Sequence, residues 1–211
     1  MDSGYKEIKD IKQIFEHNQV YLKRSHVLNN LAKFLKNNDL LPAIIFTFSR
    51  KNVESFAKDI TTNLLEDDSK IPYTVRREAE QIIRKLPNYQ EYVYLPDYES
   101  LMKLLEKGIG IHHSGMIPIL REIVEIFISK KYIKILFATS SFSIGLDCAI
   151  RTTVFTSLKQ FDGTSEKYLE PHDYSQMSGR CGRRNIDTCG YVIHCNNLFE
   201  LPYLLDYKNI L

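Results

Sequence analysis

Five short apolar runs constrain this chain more than anything else in it. They are Ala43–Phe48, Ile109–His112, Ile133–Ala138, Thr152–Thr156 and Tyr191–Cys195. A strand wetted on one face alternates apolar with polar residues, whereas a run apolar throughout is buried on both faces. The stretches between them carry helical periodicity. Val20–Asn38 places Leu22, Val27, Leu28, Leu31, Phe34 and Leu35 on one stripe, and Asn52–Leu65 does the same with Val53, Phe56, Ala57, Ile60 and Leu64. Pro118–Lys130 presents Ile119, Ile123, Ile126 and Phe127, and Asp173–Gly179 is a shorter helix. Buried strands alternating with amphipathic helices predict an α/β fold, a mostly parallel sheet with helices on both faces.

Other segments are less regular. Tyr73–Leu86 reads as a charged helix stopped before Pro87, Asn88–Tyr98 as irregular, and Leu101–Lys107 as a short helix closed by Gly108. Ser140–Ile144 reads as a turn or short helix. Residues 1–19, with Ile8, Ile11, Ile14 and Phe15 at helical spacing, read as a short helix or as a linker from a preceding domain.

Sites in parallel α/β sheets lie at the carboxyl ends of the strands. Ser49, His113 and Thr139 fall at those ends. Ser49 with Arg50 can hold a phosphodiester through a hydroxyl and a guanidinium, or simply form a surface turn. Thr139 and Ser140 can offer hydroxyls to a phosphate oxygen or cap the following helix. His112 and His113 are adjacent on a strand and point to opposite faces, which disfavours a shared metal ion.

A chain of 211 residues suits one large domain or two small ones, and 44% hydrophobic content supports a core. The net charge of +2 means that any nucleic-acid surface is a local patch. The longest apolar run, Leu40–Phe46, contains Pro42 and is far short of the ~20 residues of a membrane span. With no signal-peptide pattern at the N-terminus, an intracellular protein without membrane contact is expected. Cys148, Cys181, Cys189 and Cys195 show no CxxC pair, and a zinc set of Cys181, Cys189, His194 and Cys195 fits no standard spacing.

The densest chemistry is Gln176-Met177-Ser178-Gly179-Arg180-Cys181-Gly182-Arg183-Arg184. It sets a carboxamide and three guanidiniums within one short segment. Arginine grips phosphate in a bidentate fork, so this segment can reach a polyphosphate from one side. It carries no glycine cradle of its own. This pattern resembles motif VI of the DExH-box RNA helicases of superfamily two. Phe137–Asp147 looks like motif V of the same proteins, Ile109–Gly115 like motif IVa and Ile44–Arg50 like motif IV. Within that superfamily the chain resembles the exosome-cofactor helicases, the superkiller (antiviral) helicase and its nuclear mRNA-transport relative. His112–Gly115, Ser143–Gly145, Gln176–Ser178 and the Phe161-Asp162-Gly163 turn lean to the nuclear member.

The resemblance implies a RecA-like fold of the P-loop NTPase type over residues 20–211, as the helicase C-terminal motor domain. It implies that Gln176, Arg180 and Arg183 face ATP and act in catalysis, with Gly145 and Asp147 also at the nucleotide. It implies RNA contacts from Ser49, Arg50, His113, Ser114, Gly115 and Thr139, and no resident metal in this domain. Arg184 is expected to be a structural or RNA-side charge. The family has Thr-Glu where this chain has Thr139-Ser140, Asn for Asp147, Ala for Cys181 and Gly for Asn185.

No Gly-x-x-x-x-Gly-Lys-Ser/Thr and no Asp-Glu-x-His occur. ATP and Mg2+ would therefore be held mainly by a first RecA-like domain. RNA, that first domain, the exosome and helicase-complex subunits are the implied partners, with nuclear residence favoured and cytoplasmic residence the alternative. Two rival readings stay open at this point. One is a catalytically inactive RecA-like module that only docks RNA or protein. The other is a DNA helicase of the same superfamily, since phosphate contacts alone do not separate RNA from DNA.

Overall fold

The computed structural model describes residues 1–65, 69–142, 150–182 and 189–211. Five strands form one sheet: β1 (Ala43–Phe46), β2 (Ile109–His112), β3 (Ile135–Ala138), β4 (Thr152–Phe155) and β7 (Tyr191–His194). Their order is β2-β3-β1-β4-β7, and every neighbouring pair is parallel. The α/β expectation holds, and the reason is visible in burial. All residues of β1, β2, β3 and β4 are buried, so each strand needs cover on both faces. The edge strand β7 is only half-covered.

The helices are α1 (Asp2–His17), α2 (Arg24–Asn37), α3 (Arg50–Asp59), α4 (Ile71–Ile83), α5 (Tyr89–Val93), α6 (Pro96–Leu105), α7 (Pro118–Ser129), α8 (Pro171–Ser178) and α9 (Leu204–Ile210). α2 buries Val27, Leu28, Leu31 and Leu35 of the stripe read from the sequence, together with Ala32, while Phe34 stays exposed and Leu22 lies exposed ahead of the helix. α3 starts at Arg50 because the Ser49 side chain accepts the Asn52 N–H at 3.0 Å. α6, α7 and α8 begin at proline, whose fixed φ suits the first helical turn. That moves the start of α6 five residues upstream of the expected Leu101.

α1 buries none of its residues. It is fastened by polar bonds to the C-terminal stretch instead. Tyr5 donates to the Pro202 carbonyl at 2.8 Å, and Lys12 donates to the carbonyls of Asn196 (2.8 Å) and Phe199 (2.7 Å). Lys208 pairs with Asp2 at 2.8 Å.

Four elements had no sequence signal. The stretch expected to be irregular holds α5, and α9 follows β7. Between β4 and α8 lies an antiparallel hairpin of β5 (Lys159–Phe161) and β6 (Glu166–Tyr168). Its turn is closed by Asp162, whose carboxylate accepts the Thr164 N–H (2.8 Å), the Thr164 hydroxyl (2.7 Å) and the Ser165 N–H (2.9 Å). These bonds and the Lys167 ammonium hold the Asp162 carboxyl well below its ordinary pKa. Among the described residues, no helix is long and apolar enough to cross a membrane.

Candidate functional site

The carboxyl ends of the strands form one row. His112, Ala138, Phe46, Phe155 and His194 are register partners across the sheet. One further rung follows. Thr139 N–H donates to the His112 carbonyl (3.2 Å), Thr47 N–H to Ala138 (2.9 Å), Thr156 N–H to Phe46 (3.2 Å) and Cys195 N–H to Phe155 (2.9 Å). Everything beyond this rung is loop or helix start, and the expected site residues stand there in two groups.

The first group sits over β1, β2 and β3. Arg50 Nη2 donates to Ser114 Oγ at 3.0 Å, so residues read from two separate motifs meet. Both are exposed, and the guanidinium keeps donors for a ligand. Gly115 is closely packed here: a Cβ would lie 3.0 Å from Arg50 Cδ and 3.2 Å from His113 Nδ1, so these side chains would have to give way. Thr139 Oγ1 lies 2.7 Å from Ser141 Oγ. Ser49 spends its oxygen on capping α3 and keeps its own proton to donate.

The structure places His113 differently from its expected partners Ser114 and Gly115. Only 4% of it is exposed, and its Nδ1 accepts the Gly115 N–H at 3.1 Å. The ring therefore supports the turn from beneath, and Ser114 and Gly115 form the accessible surface. Its Nε2 lies 3.3 Å from Glu54 of α3. His112 turns to the other face, with Nε2 2.8 Å from Glu125 of α7 and its ring edge-on to Phe142. Burial depresses the pKa of both imidazoles, against the opposing pull of the two glutamates. Glu54 and Glu125 carry no distinguishing sequence signal. Only the tertiary packing of α3 and α7 identifies them.

The sign of the resulting pH dependence is fixed. A histidine buried neutral has a folded pKa below its unfolded value, so its stabilisation is complete above about 6.5 and is lost as pH falls through the folded pKa. His194, pushed by burial to about 4, acts the same way. The thermal midpoint should therefore drop on acidification from pH 7.5 to 5. A midpoint that rises over this window would contradict the buried neutral assignments.

The second group sits over β4 and β7, on α8. Tyr174 and Met177 are its buried face. Gln176 is exposed and Arg180 half-buried, just past the Gly179 cap. Neither side chain has a hydrogen-bond or ion-pair partner among the described residues. An arginine with no carboxylate partner among the described residues keeps its guanidinium donors for an anion. Cys181 is half-buried and donates to the Ser178 carbonyl at 3.0 Å, and burial raises its pKa. Arg183, Arg184, Gly145 and Asp147 lie outside the described residues.

Among the described residues, no three His, Cys, Asp or Glu side chains come together as a metal site. Both ring nitrogens of His194, one member of the zinc alternative, face tyrosine hydroxyls.

Residues 74–185 match the model of the helicase conserved C-terminal domain. The chain belongs to that family. The five-stranded parallel sheet flanked by helices is its RecA-like fold. Among individual proteins, it is 42% identical over 172 residues to the mRNA transport homolog 4 of Caenorhabditis elegans, a match covering 78% of this chain and 16% of that protein. It is 37% identical over 163 residues to the antiviral helicase SKI2 of Saccharomyces cerevisiae, covering 77% and 12%. It is 37% identical over 168 residues to the human exosome RNA helicase MTR4, covering 77% and 15%. The helicase domain thus spans about a sixth or less of the length of these relatives.

Proposed function

We propose that this helicase domain is the second RecA-like motor domain of an ATP-dependent 3′–5′ RNA helicase that delivers RNA to the exosome, with nuclear residence favoured. The observation that carries the reading is the split of the sheet edge. Ser49, Arg50, Ser114 and Thr139 gather over β1–β3, while Gln176 and Arg180 stand over β4 and β7 with no partner among the described residues. The first group suits a nucleic-acid backbone, with three hydroxyls, a guanidinium and close backbone approach at Gly115. The second suits a terminal phosphate.

The residues present fit half of an ATP site. Arg180, joined in sequence by Arg183, would steady the negative charge that develops on the γ-phosphate in the transition state. Gln176 would orient the attacking water or a phosphate oxygen. Gly145 and Asp147 would approach the nucleotide, with Asp147 toward the ribose. No described carboxylate cluster suits Mg2+, which would come with the first motor domain holding the phosphates. That ion would neutralise phosphate charge and align the leaving group.

Single-stranded RNA titrated against the chain at several salt concentrations tests the RNA side. Binding should be weak and salt-sensitive. Arg50→Ala should lower the log–log salt slope by about 0.7, the value for one phosphate neutralised on a single strand. Ser49→Ala should weaken binding without changing that slope. Binding that is tight, sequence-selective and indifferent to salt would point to base readout and contradict the assignment.

A further inference from the structure

Four elements meet at one imidazole. His194 ends β7, and its Nε2 lies 3.0 Å from the hydroxyl of Tyr174 on α8. Its Nδ1 is in contact with the hydroxyl of Tyr207 on α9. Tyr174 stacks on Phe155, the last residue of β4, with ring centroids 5.0 Å apart. The Phe155 and His194 rings meet edge to face at 5.6 Å. Tyr174 and Tyr207 are each only 9% exposed. A neutral imidazole donates from one nitrogen and accepts at the other. One tyrosine hydroxyl must therefore accept and the other donate, so the three groups form a directional chain rather than two independent bonds.

This chain bears on the catalytic arm through α8. The helix is short, and among its residues only Tyr174 and Met177 are buried. Two residues beyond Tyr174 stands Gln176, and six beyond stands Arg180. Met177 anchors by packing, which tolerates rotation. The Tyr174 hydroxyl bond fixes the azimuth of the helix about its axis, and with it the direction in which Gln176 and Arg180 project. We infer that His194, with Tyr174 and Tyr207, is a positioning residue for the arginine arm, holding α8 against β7 and α9 so that Arg180 meets the nucleotide in register. The inference rests on reading Gln176 and Arg180 as nucleotide-facing. Burial keeps the imidazole neutral at physiological pH, which preserves the donor–acceptor order. The link also ties the arm to α9 and, through the Tyr5–Tyr207 ring contact at 6.2 Å, to α1.

The test combines two readouts on the full-length helicase. His194→Phe keeps a ring of similar shape and removes both nitrogens. Tyr174→Phe and Tyr207→Phe each remove one hydroxyl and serve if His194→Phe folds poorly. Hydrogen exchange over residues 171–180 should rise about tenfold in His194→Phe and Tyr174→Phe, the order expected for one lost part-buried hydrogen bond. In the same variants kcat for RNA-stimulated ATP hydrolysis should fall ten- to a hundredfold, roughly the cost of a misplaced catalytic group, with RNA Kd unchanged. Adding Tyr174→Phe to His194→Phe should cost nothing more. His194→Gln, whose carboxamide reaches the Nε2 position, should recover most of the turnover.

Unchanged exchange over 171–180 in all three variants overturns the inference whatever the activity. So does raised exchange with wild-type kcat while Arg180→Ala is inactive, since α8 order would then be irrelevant to the arm. If Arg180→Ala is itself fully active, both the inference and the nucleotide-facing reading fall, and that variant shows which premise failed.

Discussion

Arg183→Ala and Arg180→Ala, made in the full-length helicase, should each lower kcat for ATP hydrolysis by about 10³–10⁵, the range for arginine fingers in phosphoryl transfer. The expectation follows from where charge appears. Negative charge builds on the transferred phosphoryl oxygens only as the bond to the leaving group loosens. A guanidinium aimed there stabilises the transition state more than bound ATP, so kcat falls and KM moves little. Among the described residues Arg180 has no carboxylate partner, which suits it to the proposed role. A charge already neutralised by a neighbour would have little to give. Arg180→Ala should also weaken ATP binding somewhat more than Arg183→Ala. RNA affinity should stay near wild type in both, because the group proposed to face RNA lies over other strands. Arg183→Lys should rescue little, since one ammonium cannot reproduce a planar fork. The measurements are kcat, KM for ATP and RNA Kd for each variant. Wild-type turnover with lost RNA binding in Arg183→Ala would make this segment an RNA clamp.

The second large effect is expected at Gly190, where the chain returns to the sheet after the arginine segment. A Cβ there would stand 2.5 Å from the Cys181 carbonyl carbon, 2.7 Å from its oxygen and 2.7 Å from its Sγ. Two of these are backbone atoms, which cannot step aside as a flexible side chain can. Gly190→Ala must therefore push the backbone at Cys181, next to Arg180. It also strains the neighbouring bond from the Gly182 N–H to the Ile150 carbonyl, 3.0 Å in the native fold. Overpacking of this kind costs about 1–3 kcal/mol. In a domain of this size the thermal midpoint should fall by about 2–4 °C for each kcal/mol. In the full-length enzyme the same variant should lose kcat well beyond its loss of stability, because the displaced residue adjoins the arginine arm. A variant as stable and as active as wild type would show that the close approach is not obligatory.

The strands were legible because a parallel sheet buried on both faces leaves continuous apolar runs, and β2 (Ile109–His112) is read to the residue. Ser49, His113 and Thr139 could be placed at strand ends for the same reason. What the pattern did not reveal is set by contacts between residues far apart in the chain. The β5–β6 hairpin is built from Lys159-Gln160-Phe161 and Glu166-Lys167-Tyr168, which have no apolar period. Its shape comes from the bonds of Asp162. The burial of His113 depends on α3 and the turn at Gly115 closing over it, and nothing in His-His-Ser-Gly says which of the four faces inward. The linkage of Tyr174, His194 and Tyr207 joins positions 20 and 13 residues apart. Nothing in the sequence sets Gly190 apart, because what constrains it is the Cys181 backbone packed against it.

The central claim is that this helicase domain supplies one half of an ATP site, the half with the arginines and without the phosphate cradle. The most direct measurement is ATP hydrolysis by the 211-residue chain alone, with and without single-stranded RNA, beside the full-length helicase under the same conditions. The chain alone should show no turnover above background, and the full-length protein should show RNA-stimulated turnover. Clear RNA-stimulated hydrolysis by the isolated chain would contradict that claim.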